Sequence, residues 1–245
     1  MKRRSQPVVG RYDAQAAETF WSQRVSSTGK IAAVLTYNAR PEINRAYDAW
    51  EKRVLSTLLG GRPRVKRAVD VGAGVGRISL LLASKGIDVV ALDNSRTMLD
   101  RIAAASRNKR WGRKITTVHS VCWEIPLADK SCDLVVCFGL LEHLPEKERR
   151  LTLEESARVL AAGGRMLVVV NNAENPLLKN KVVGANPAYA HVHYLMEPGF
   201  KNPPLKSREL KKILDAALTN DLRESPASDQ AREFASHFLV ELKKR

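Results

Sequence analysis

Between residues 17 and 59 apolar side chains recur at spacings of three and four: Phe20, Trp21, Ile31, Val34 and Leu35, then Tyr47, Trp50, Val54, Leu55 and Leu58. That period predicts amphipathic helices, and Pro41 divides them into at least two because proline cannot continue a helix from the turn before it. Residues 1–16 show no such period and read as an arm, while Gly60, Gly61 and Pro63 end the helical pattern. From Arg67 the rhythm changes. Short apolar runs predict strands over 68–71, 88–92, 115–121, 134–138 and 166–170, and helical patterns fall between them over 77–84, 95–105 and 147–160. Gly163 and Gly164 mark the end of the last helix, and Ser95 is placed to cap the second. Four- and five-residue apolar runs without alternation suit strands buried on both faces, so the alternation of strand and helix predicts a parallel sheet. After Asn171 prolines at 176, 187, 198, 203 and 204 interrupt the chain, and only 207–217 reads as a helix.

The pattern divides the chain into an arm and helical lid, 1–62, and an α/β domain, 63–245, with an insertion around 171–206 of a length that usually carries function. No apolar run approaches the roughly 18 residues that a bilayer span requires, which excludes membrane insertion by helices. The basic start is followed by a polar stretch, unlike a secretion signal, and Cys122, Cys132 and Cys137 form no C-x-x-C pair. Reduced thiols and a cytoplasmic location are therefore expected. The net charge of +15 changes the picture of possible partners. Residues 1–66 hold 13 Lys/Arg against 5 Asp/Glu, and two clusters stand out: Arg62, Arg64, Lys66 and Arg67, then Arg107, Lys109, Arg110, Arg113 and Lys114 around Trp111. Such clusters make nucleic acid a candidate partner, although solvated loops are the plainer reading.

Candidate chemistry begins at Val69-Asp70-Val71-Gly72-Ala73-Gly74-Val75-Gly76-Arg77, a glycine-rich turn between a strand and a helix. Backbone amides in such a turn approach a ligand closely, and the helix start adds partial positive charge. A dinucleotide site is the obvious competitor, but Arg77 stands where that fingerprint wants a third small residue. Asp70 suits a cationic amino group and would repel a pyrophosphate. Asp93, at the end of the second strand, is placed to accept from both hydroxyls of a ribose.

Taken in order, this turn, Leu92-Asp93-Asn94-Ser95, Ile125-Pro126-Leu127 with Ser131-Cys132-Asp133-Leu134, Leu141-Glu142-His143-Leu144, and Ala157-Arg158-Val159-Leu160 with Gly163-Gly164-Arg165 resemble the motif series of class I S-adenosylmethionine (SAM) dependent methyltransferases. The resemblance covers residues 67–170. It implies an α/β fold with a doubly wound, mostly parallel seven-stranded sheet, Rossmann-like, whose last strands come from the C-terminal region and to which the N-terminal helices are an extension. It implies SAM as cofactor and S-adenosylhomocysteine as product. It also implies roles: Asp70, Gly72, Ala73, Gly74 and Gly76 near the methionine moiety, Asp93 at the ribose, Asn94 and Met98 against the adenine, Cys122 and Trp123 flanking the adenine, and Gly139 with Leu140 beside the sulfonium. Ser120-Val121 departs from the Gly-Asp of many relatives, so the adenine amino group must find its contact in backbone or Glu124, or go without.

Glu142 and His143 follow the fourth strand, where a general base for an O or N acceptor would act; capping the next helix is their competing role. A small-molecule acceptor is the favoured substrate, with the N-terminal helices and residues 171–206 forming its pocket. Phe20, Trp21, Tyr47 and Trp50 are candidates for an aromatic lid. An RNA methyltransferase is the alternative, since the basic clusters are joined by Leu141 to Leu144 with Arg149-Arg150, similar to a tRNA wobble-uridine methyltransferase motif. A non-catalytic SAM-fold regulatory subunit is the third, on the strength of Val121 and of Leu218-Thr219-Asn220 where a Gly-Phe is usual. His191 and His193 lack a third ligand, so no metal is expected.

Overall fold

The computed structural model describes residues 13–28, 41–60, 65–171 and 237–244. Among them six strands form one sheet in the order β3-β2-β1-β4-β5-β6. Strands β1 (Arg67–Val71), β2 (Asp88–Asp93), β3 (Ile115–His119), β4 (Cys132–Phe138) and β5 (Leu160–Asn171) are parallel, and β6 (His237–Lys243) returns antiparallel to β5. Helices α3 (Arg77–Ser84) and α4 (Arg96–Ser106) join β1 to β2 and β2 to β3, and α5 (Glu146–Val159) joins β4 to β5. The chain thus builds outward from β1 to one side, then crosses to the other at β4. A cleft is expected where that order reverses, at the carboxyl ends of β1 and β4.

The apolar runs do face both ways. Val69, Val71, Val135 and Cys137 pack with Leu153 and Val159 beneath α5, whereas Ala68, Leu134 and Val136 pack with Ile78 and Leu82 of α3. Each such side chain, fully withdrawn from water, contributes on the order of 1.5–3 kcal/mol, which is why the strands need no alternation. Ser95 caps α4 as expected, its hydroxyl accepting from the Met98 amide at 3.3 Å.

Two readings of the sequence differ from the structure. Strand β3 stops at His119, not at residue 121, because the Ser120 amide turns back to the Asp93 carbonyl at 3.1 Å and its hydroxyl donates to the Glu124 carbonyl at 2.7 Å. Gly163 and Gly164 do not end α5, which closes at Val159; they lie within β5, where the register against β4 slips between Cys132 and Leu134. The bulge holds Gly163 at φ 74°, and a Cβ on Gly164 would meet the Ala161 carbonyl at 2.8 Å, so both positions require glycine. The seventh strand expected from the C-terminal region, the helix over 207–217 and the insertion around 171–206 concern residues outside those described.

The N-terminal extension consists of α1 (Ala14–Thr28) and α2 (Pro41–Leu59), with Pro41 opening the second helix where its missing amide costs nothing. Helix α2 turns Asn44, Asp48, Glu51 and Leu55 inward, a row at helical spacing in which only the last is apolar. Its carboxylates grip Arg77 in the first turn of α3, at 2.9 Å from Asp48 and 2.6 Å from Glu51. A cation there opposes the helix dipole, and the two acids more than offset it. No helix among the described residues is long and apolar enough to cross a membrane.

Removing the guanidinium takes from the buried Asp48 and Glu51 carboxylates the cation they share and leaves Asp48 only its second partner, Lys52 at 2.7 Å. Arg77→Met is therefore expected to lower the unfolding free energy by about 3–5 kcal/mol, measured by urea denaturation. An unchanged midpoint would show that the ion pairs contribute nothing to holding α2 in place.

Candidate active site

The turn after β1 is shaped from below by the end of β2. The Gly72 and Ala73 amides both donate to the Leu92 carbonyl at 2.9 Å, and the Gly74 amide donates to Asp93 Oδ2 at 2.8 Å. The other oxygen of Asp93 accepts from the Ser95 amide at 2.9 Å. The Asn94 amide also bonds to this carboxylate. Burial raises the Asp93 pKa, and the amides of Gly74 and Ser95 act in the opposite direction by stabilising the anion. At two positions of the turn a Cβ is strained both by the positive φ and by contact. At Gly72, φ 72°, one would meet Leu140 Cδ2 at 2.9 Å, and at Gly76, φ 82°, one would meet Ile102 Cγ1 at 2.7 Å.

Around this turn lies an open cleft, about 890 Å³ when the solvent in its mouth is included. Asp70, Gly72, Ala73, Gly74, Asp93, Asn94, Met98, Cys122, Trp123, Gly139 and Leu140 all line it, so eleven of the residues singled out for cofactor binding are brought together from the ends of four strands. Gly76 is the exception, lying behind the wall against Ile102. Asp70 is almost wholly buried and accepts a 2.6 Å hydrogen bond from the Ser79 hydroxyl; burial pushes its pKa up to about 6 despite that bond. Ser120 and Val121 line the same wall as Cys122 and Trp123, and a thiol buried beneath Thr152 at 3.3 Å places Cys122 firmly in the core.

Helix α1 lies against this edge of the sheet. The hydroxyls of Ser22 and Ser95 are 2.9 Å apart, Asn94 Nδ2 donates to the Ala14 carbonyl at 3.3 Å, and Val25 packs with Val75 and Met98. Trp21 thereby reaches the cleft wall. Phe20 packs edge-on to it at 5.1 Å, and the Arg24 guanidinium lies over both rings. The side chains of Tyr47 and Trp50 fall outside those described. Helical period marked Trp21 as inward-facing, but nothing local in the sequence signalled Ser22, Arg24 or the partners of Arg77, which are defined only by tertiary contact.

Glu142 and His143 occupy a 3-10 turn, Leu141–His143, after β4. The buried Arg149 guanidinium braces that turn, donating to the Leu141 and Leu144 carbonyls at 3.1 and 2.9 Å. Arg149 is thus committed to the fold rather than to a surface. His143 lines the cleft and meets Trp21 edge-on at 5.1 Å; burial and the nearby Arg24 lower its pKa to about 4, so the ring is neutral at pH 7. Glu142 does not line the cleft but stands behind Gly139, 3.9 Å from where a Cβ would sit there. Its Oε2 is buried without a hydrogen-bond partner among the described residues, and burial pushes the carboxyl up to about 7. A neutral imidazole and a carboxyl that changes charge near neutrality are suited to orient an acceptor and to take its proton.

Residues 69–168, which span this cleft, match a family model described as a methyltransferase domain. The ubiquinone/menaquinone biosynthesis C-methyltransferase UbiE of Syntrophotalea carbinolica is 36% identical over 116 residues, covering 46% of this chain and 47% of that protein. A ubiquinone biosynthesis O-methyltransferase of Coxiella burnetii is 27% identical over 123 residues, covering 49% of this chain and 50% of that protein. The chain spans about half the length of these curated relatives. Among solved structures, the PH0226 protein of Pyrococcus horikoshii shares the fold, with a TM-score of 0.65 over 91% of this chain and 99% of that one at 16% identity. The ordered motifs, the cleft and the matching family model agree on a methyltransferase domain over residues 69–168, similar to those of the class I SAM-dependent superfamily.

Proposed function

We propose that the chain is a SAM-dependent methyltransferase acting on an O or N atom of a small-molecule acceptor, with Trp21 of α1 on the acceptor side. The observation that carries this reading is one cleft in which Asp70, the glycine turn and Asp93 meet the Gly139 to His143 segment under Trp21. The lining fits the cofactor: buried carboxylates suit a cationic amino group and a ribose, the glycine turn, with its amides at 72, 73, 74 and 76 bonded within the fold, lets a ligand come close to the backbone, and Met98, Cys122 and Trp123 give an apolar slot for a base. When bound, SAM supplies an electrophilic methyl whose leaving group is already in place. Asp70 and Asp93 then bind and orient, Asn94 and Met98 with Cys122 and Trp123 fix the adenine end, and Gly139 with Leu140 leaves room at the reacting edge. His143 orients the acceptor, and Glu142, which stands behind Gly139 outside the cleft, holds the acceptor's proton after relay through one water at that wall. Alignment and exclusion of water account for most of the rate, since a well-oriented pair of reactants saves about 7–11 kcal/mol of barrier.

Trp21, Phe138 and Leu144 add apolar wall beyond that slot, in keeping with a compact organic acceptor. The curated relatives bear C- and O-methyltransferase names in ubiquinone biosynthesis, which supports a small molecule. The buried, free thiols Cys122, Cys132 and Cys137 support a reducing, cytoplasmic setting.

Incubation of the full chain with methyl-labelled SAM, a metabolite extract and total RNA is expected to place label in the low-molecular-weight fraction. Label in RNA alone would contradict a small-molecule acceptor. The rate should rise with pH through about 7, and Glu142→Gln should abolish that limb and lower kcat about a hundredfold. The same substitution has a stability signature. The folded carboxyl, raised from 4.5 to about 7, keeps a proton that the unfolded chain releases, so native stability falls as pH rises through that window. Asp70 acts in the same direction between 3.8 and about 6, and His143 in the opposite one between about 4 and 6.5. Only Glu142 differs between variant and parent, so the melting temperature of Glu142→Gln relative to the parent should rise from about pH 5 to about pH 8. A pH-independent difference would remove Glu142 from the titrating role.

A further inference from the structure

The loop between α4 and β3 carries charge that the cleft does not use. Arg107, Lys109, Arg110 and Arg113 are exposed and make no side-chain hydrogen bond or ion pair among the described residues; only Lys114 is paired, to Asp88 at 2.9 Å. This is no flexible tail. The Lys109 amide donates to the Ser106 carbonyl at 2.9 Å, the Gly112 amide to Lys109 at 2.8 Å and the Lys114 amide to Trp111 at 3.0 Å. A Cβ on Gly112 would come to 2.2 Å from the Ser106 carbonyl, so the bend closes only with glycine, and Trp111 packs inward against the core. Four like charges are held together on a fixed scaffold, where mutual repulsion opposes folding.

Because the loop precedes β3, it lies at the amino edge of the parallel sheet, as do the exposed Lys66 and Arg67 at the start of β1 and Lys85 after α3. The cleft lies at the carboxyl edge, and the five residues of β3 put about 17 Å between the two. We infer that the 107–114 loop is a nucleic-acid docking face, separate from the methyl-transfer site and contacting the phosphate backbone. Three of its four unpaired cations are arginines, whose planar donors match phosphate oxygens. The exposed Thr116 and Thr117 of the neighbouring edge strand add polar contacts to sugar and phosphate. No apolar or aromatic side chain is exposed in the loop to anchor a protein interface or enter a lipid layer, and Trp111 is turned into the fold. Binding through charge alone is characteristic of contact with a nucleic-acid backbone.

Fluorescence anisotropy of a labelled polyuridine oligonucleotide with the full chain tests this. Binding is expected at low salt, with log K falling against log salt at a slope that the four loop cations steepen by about 3. The variant R107Q/K109Q/R110Q/R113Q should bind about tenfold or more weakly while its thermal melt and its affinity for SAM stay unchanged. Equal binding by variant and parent would overturn the assignment, as would absence of binding at low salt. So would a parent that prefers vesicles of phosphatidylcholine with phosphatidylglycerol, or polyglutamate, over the oligonucleotide.

Discussion

Two hydrogen bonds to one buried carboxylate set the shape of the cleft. Asp93 accepts from Gly74 across the gap between strands and from Ser95 at the start of the next helix, so a single side chain fixes the turn after β1 and the opening of α4 together. Bonds of this charge-assisted kind contribute about 1.5–3 kcal/mol each, enough to hold amides that would otherwise stay unpaired at a helix start. The glycines complete what the carboxylate begins. With Leu140 pressed against Gly72 and Ile102 against Gly76, the turn has one conformation available, and its walls come from strands that the topology has already brought side by side.

The N-terminal helices are joined to this centre by polar as much as by apolar contacts. Asp48 and Glu51 reach Arg77, the first residue of the helix that the glycine turn opens, while Ser22 and Trp21 reach the Ser95 hydroxyl and the His143 ring. Both helices therefore lean on residues adjacent to the cleft rather than on its periphery. A buried ion pair is weak evidence for stability but strong evidence for position, since it is costly in any other arrangement.

Much of this was legible in the chain because it is locally encoded. Strand runs around 68–71, 88–92 and 134–138 and the Gly-Asp constellation of 70–76 and 93 depend on neighbours within a few residues, and eleven of the twelve residues singled out for cofactor binding line one cleft. What was not legible depends on distance along the chain. Arg77 read only as a missing glycine, because its partners lie 29 and 26 residues away on a helix whose polar inner row defeats amphipathic reasoning. Gly163 and Gly164 have the composition of a helix stop and serve instead as a strand bulge, a distinction made by pairing with Lys244. Glu142 and His143 looked equivalent in sequence, yet the turn that carries them directs only the imidazole into the cleft. Arg149, beside an exposed Arg150, gave no sign that it would be buried as a brace.

The buried acid at the end of β2 should matter to cofactor binding more than any other single group. Calorimetric titration of SAM into the chain and into Asp93→Ala, with the fold of each verified by its thermal melt, measures that dependence directly. One site per chain, weakened at least about tenfold by the substitution, is the expected result. Equal affinity in a folded variant, or no binding by the parent, would contradict the assignment of the cleft.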